Sequence, residues 1–104
     1  MGDKYVLHAA LLGAVAEMRS LASVPDHGIA NENAPLLDLP GWSSEEIKFA
    51  FEGTGLTFRK KFGDTSIIIG KFTQAVASRR TAQAERFVEV LQSWDFPAVI
   101  YYQY

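Results

Sequence analysis

The sequence predicts an α+β domain, and three observations carry that prediction. Apolar residues recur at helical spacing near the N-terminus and again after residue 78, they alternate at strand spacing between, and glycine-containing turns punctuate the alternating part. A chain of 104 residues with 48% hydrophobic and 21% charged residues has the composition of one globular domain rather than a disordered chain. We therefore treat residues 1–104 as a single domain, with no internal repeat or low-complexity tract.

The first helix is expected over Asp3–Ser23, where Leu7, Leu11, Ala14, Val15, Met18 and Ala22 share one stripe. Asp3 is positioned to cap it, and Pro25 stops it. Gly13 inside this helix marks either a close approach of another backbone or a tolerated defect. Residues 24–43 contain Pro25, Gly28, Pro35, Pro40 and Gly41 and show no periodicity, which predicts a long loop pinned by Leu36, Leu37 and Leu39.

Ile47, Phe49 and Phe51 alternate with Lys48 and Ala50, the spacing of a strand, although Ser43 or Ser44 with Glu46 offers a competing capping box. Gly53-Thr54-Gly55 then reads as a turn, followed by a strand carrying Leu56, Phe58 and Phe62. Arg59 and Lys61 fall on the other face of that strand, and Lys60 falls on its apolar side, near an edge or snorkelling. After Gly63-Asp64, Ser66–Phe72 has three isoleucines in a row, as a strand buried on both faces does. The short turns predict a three-stranded antiparallel meander. A second helix starts between Thr73 and Ser78 and ends at Trp94, with Ala84, Phe87, Val88, Leu91 and Trp94 as its apolar stripe. Ala98–Tyr104 is a final strand rich in β-branched and aromatic residues. Both helices are expected on one face of the sheet.

The sequence excludes several chemistries. It has no cysteine, hence no disulfide, thiolate nucleophile or Cys-ligated metal. It has no nucleotide-binding glycine fingerprint, nucleophile elbow or zincin motif. No cofactor is expected. The apolar run Tyr5–Ala16 is too short to span a bilayer, so the expectation is a cytoplasmic protein with no membrane partner.

His27 beside Asp26, with Glu32 downstream, has the residue types of a general base and its orienting carboxylate. Two histidines in the whole chain make a metal centre a poor fit. Adjacent Glu45 and Glu46 point in different directions and make a poor catalytic dyad.

Charge is more informative. Net charge is −2, yet Lys48–Arg86 holds eight basic residues against three acidic ones. Arg59, Lys61, Lys71, Arg79 and Arg80 are the candidate phosphate-binding set, with the last two near a helix start whose dipole favours an anion. Ser78-Arg79-Arg80-Thr81-Ala82-Gln83-Ala84 after a helix and three strands loosely resembles the double-stranded RNA-binding domain, whose second helix opens with Ser and basic residues. That resemblance implies phosphate contacts by Arg79 and Arg80. The chain departs from the pattern where Ala75, Val76 and Ala77 stand in place of glycines. It has no histidine in Glu52–Thr57, and a further C-terminal strand follows.

Tyr101, Tyr102 and Tyr104 end the chain on a strand suited to a sheet edge, where an unpaired backbone and tyrosine surface can hold another protein or a second copy. The leading expectation is a non-enzymatic protein-binding module of accessory, inhibitor or immunity type, with a homodimer as one form of it. A nucleic-acid-binding domain using the basic segment 59–86 comes second. A small enzyme or ligand-binding domain built on His27 comes third.

Overall fold

Asp3 accepts the Tyr5 and Val6 N–H groups with its carboxylate and so starts α1, Lys4–Arg19, in the computed structural model, which describes residues 3–61 and 65–102. Beyond Arg19, i→i+3 bonds such as Leu21 N–H to the Met18 carbonyl wind the chain tighter before Pro25. The remaining elements are β1 (Ala34–Asp38), α2 (Ser44–Phe51), β2 (Thr57–Lys60), β3 (Ser66–Gly70), α3 (Ser78–Ser93) and β4 (Ala98–Tyr101). The four strands form one antiparallel sheet in the order β2-β3-β1-β4.

The α+β class holds, but two elements differ from expectation. Residues 47–51 are helical, not a strand. Ile47, Ala50 and Phe51 are the buried positions, at i, i+3 and i+4, and Phe49 lies outside against Tyr5 at 5.0 Å. The capping box decides the matter: Ser43 Oγ accepts the Glu46 N–H, and Glu46 returns a bond to the Ser43 N–H. Gly53 and Gly55, both at positive φ, then bring the chain off the helix rather than around a hairpin. The hairpin that does exist joins β2 to β3. Its turn, with Phe62 and Gly63-Asp64, lies outside the described residues.

The second correction concerns residues 24–43. They are not all loop, because Ala34–Asp38 forms β1 between β3 and β4. Leu37 turns inward, while Leu36 and Asp38 turn out. Pro35 hides this strand from pattern reading, since proline cannot donate to a central ladder. The structure accommodates it at the strand start, where pairing with β3 begins only at Leu36↔Ile68.

The core lies between one sheet face and the helices. Leu7, Leu11, Ala14 and Met18 of α1 meet Ala84, Phe87, Val88 and Leu91 of α3 over Leu37, Ile67, Ile69 and Ala98. Phe51 of α2 packs on Phe58 of β2 at 4.8 Å, and the His8 Nδ1–H donates to the Ala50 carbonyl at 2.9 Å, tying α1 to α2. Gly13 faces Val90, whose Cγ1 would sit 3.9 Å from an added Cβ, so no close backbone approach demands a glycine there. No helix of the described residues is long and apolar enough to cross a membrane.

Candidate functional site

Strand alternation fixes which residues share the sheet face away from the helices. Arg59, Ile68, Leu36 and Val99 form one cross-strand row on it, and Thr57, Gly70, Ala34 and Tyr101 the neighbouring one. No helix of the described residues packs on this face. Lys61 reaches over it from the β2 side to Tyr101 on the opposite edge, its ammonium 5.5 Å from the ring centroid. A cation and an aromatic expected to serve different partners therefore meet on one surface.

The two sheet edges differ in chemistry. β2 carries Arg59 and Lys60, both exposed, with Lys61 next to them. Such cations discourage pairing with another strand. β4 has no charged side chain at all. Val99 is 54% exposed and Tyr102 is 52% exposed. Tyr104 lies outside the described residues.

The backbone of β4 can be assigned side by side. Asp38 N–H donates to the Pro97 carbonyl at 3.0 Å, so residues 97, 99 and 101 direct their polar groups to β1. Residues 98, 100 and 102 then direct theirs outward. Gln92 Nε2 donates to the Ala98 carbonyl at 2.9 Å, consistent with that carbonyl facing away from the ladder. Ile100 thus presents an N–H and a C=O along the open edge.

The basic set does not gather as one surface. Arg79 Nη1 donates to the Ala22 carbonyl beyond α1, and Arg79 lines a groove between α1 and α3. Arg80 turns the other way. Its Nε donates to the Asn33 carbonyl at 2.9 Å, and its guanidinium lies 4.9 Å from the Phe72 ring centroid. Burial pulls the Arg80 pKa down, partly offset by Glu32. Arg86 pairs with Glu17 across α3 and α1 at 3.0 Å. Lys71 is exposed at positive φ just past β3. Arg59 and Arg80 alone of the five candidate cations line one cleft, of about 410 Å³, on the open face.

The N-terminus of α3 is already filled. The Asp26 carboxylate accepts the Val76 and Ala77 N–H groups, each at 2.9 Å, and the Arg79 N–H at 3.1 Å. These bonds, the Val76 one first, hold its carboxyl below the ordinary aspartate range. An internal carboxylate therefore takes the place where the sequence suggested a bound phosphate. The same geometry separates Asp26 from His27, which is exposed and bonds α3 through its backbone: its N–H donates to Ser78 Oγ, and its carbonyl accepts the Ser78 N–H. Among the described residues, no three His, Asp or Glu side chains cluster to hold a metal.

Sequence reading missed the role of Asn33, which is 1% exposed and donates through Nδ2 to Thr81 Oγ1 at 3.0 Å. Asn31 donates to the same oxygen at 3.2 Å. The only sequence signal was a pair of asparagines in a proline-rich stretch. Comparison with known proteins gave no match: no family model, curated protein or solved structure matches the chain.

Proposed function

We propose that the chain is a non-catalytic protein-binding module and that β4 is its docking edge. One observation carries the reading: β4 is an outer strand without a charged side chain, while the opposite edge is lined with cations. Edge strands of stable monomers are ordinarily blunted by charge, proline or a covering element. On β4 the Ala98 carbonyl is covered, by Gln92.

The occupant that needs nothing beyond this sequence is a second copy. Antiparallel pairing about Ile100 sets its N–H against the Ile100 carbonyl of the second copy, and the reverse. In that register Val99 lies opposite the Tyr101 of the other copy, a β-branched and aromatic pair of the favourable kind. No like charges meet. An extended segment of another protein would use the same bonds.

Sedimentation equilibrium of the wild type and Val99→Lys tests this. A wild-type dimer weakened by the substitution supports the reading, because the two introduced ammonium groups become diagonal neighbours across the junction. A wild type that stays monomeric, with no protein captured in a β4-dependent way, overturns it.

A further inference from the structure

We propose that the cleft between Arg59 and Arg80 on the open sheet face binds a small organic acid through its carboxylate or phosphate group. The site stands apart from the β4 edge and does not rest on the reading of that edge.

Two arginines line this cleft from different elements, Arg59 from β2 and Arg80 from α3. Arg80 is held in place before any ligand arrives. Its Nε is tied to the Asn33 carbonyl and its plane lies by Phe72, while its two terminal nitrogens have no hydrogen bond or ion pair among the described residues. The guanidinium of Arg59 likewise has none among them. A planar donor fork with unused N–H groups matches an oxyanion, and anchoring it beforehand removes ordering cost from binding.

The floor is shaped for close approach. Ile68 and Gly70 of β3 also line the cleft, and Gly70 has no side chain to fill it. A Cβ there would meet Thr57 Oγ1 at 2.6 Å, so this position stays low. Exposed Val76 gives one wall an apolar surface for the body of a ligand. Glu32 also lines the cleft but makes no ion pair with either arginine among the described residues. Two positive charges and one negative leave a net single positive charge, which suits one oxyanion group. Partial burial of the Arg80 charge adds a reason for an anion to be favoured there.

The experiment is an amide chemical-shift titration of the intact chain with inorganic phosphate, sodium benzoate and sodium chloride, all at one ionic strength. Saturable shifts centred on Arg59, Gly70 and Arg80 with phosphate, benzoate or both support the site. Phosphate alone identifies a phosphate ligand, and benzoate alone a carboxylate with an apolar body. Arg80→Gln and Arg59→Gln should each weaken binding about tenfold or more. Arg59 lies on an exposed edge strand, so its variant reports on binding even where Arg80→Gln perturbs the fold. Shifts no larger than those with chloride, or a wild-type affinity in Arg59→Gln, overturn the proposal.

Discussion

The Asp26 carboxylate accepts the Ala77 N–H at 2.9 Å and thereby caps a helix that begins some fifty residues further along the chain. Ala77, the residue at the N-cap position, has no side chain that can do so. Ser78 strengthens the tie, donating its hydroxyl to the Pro25 carbonyl and accepting the His27 N–H. The segment after α1 is thus bound to the start of α3, and that anchoring leads the chain into β1.

This cap makes stability sensitive to acid. The folded Asp26 pKa is depressed, so its contribution is fully present above the unfolded value and is lost as pH falls through the folded one. Asp26→Asn should lower the thermal midpoint at neutral pH by a few degrees. The gap to wild type should narrow as pH falls below the ordinary aspartate range, where the aspartate itself becomes protonated. Calorimetric melts across pH check both.

Thr81 Oγ1 accepts from both Asn31 and Asn33. Thr81→Val keeps the shape and removes the acceptor that the two amides share in a part-buried site. The expected loss is about 1–3 kcal/mol by urea unfolding. A loss within experimental error would show that those amides find other partners.

Ser43→Ala removes one half of the α2 capping box. The expected cost is about 1 kcal/mol, with fraying confined to Ser44–Phe51 in hydrogen exchange. Global loss of protection would mean that α2 nucleates more of the fold than its packing suggests.

Gly13→Ala should stabilise the chain by about 0.5–1 kcal/mol, because an added methyl group reaches Val90 at ordinary contact distance and the helix gains propensity. A higher urea midpoint with an unchanged slope is the expected record.

These residues also show what the sequence could disclose. The stripes of Leu7–Met18 and Ala84–Leu91 are long enough for periodicity to be decisive, and both helices follow from them. The three isoleucines of β3 mark a central strand for the same reason. Between Ile47 and Phe51, five residues satisfy a period of two and a period of 3.6 almost equally. Ser43 and Glu46, outside that window, settle it. β1 is five residues long and contains Pro35, so neither alternation nor composition could mark it. It becomes a strand because β3 and β4 are there to pair with it. The candidate site divides in the same way. That Arg59 and Lys61 share a face was legible from the pleat. The divergence of Arg79 and Arg80 was not, because it depends on the Ala22 and Asn33 carbonyls, remote in sequence from both arginines.

The most direct test of the docking edge is the isotope-filtered nuclear Overhauser spectrum of a mixture of ¹⁵N-labelled and ¹³C-labelled chains. Edge pairing predicts intermolecular contacts between the Ile100 amide of one copy and the β4 residues of the other, together with slowed exchange of that amide. A spectrum with no intermolecular contact at β4, and an Ile100 amide that exchanges as freely at high concentration as at low, would contradict it.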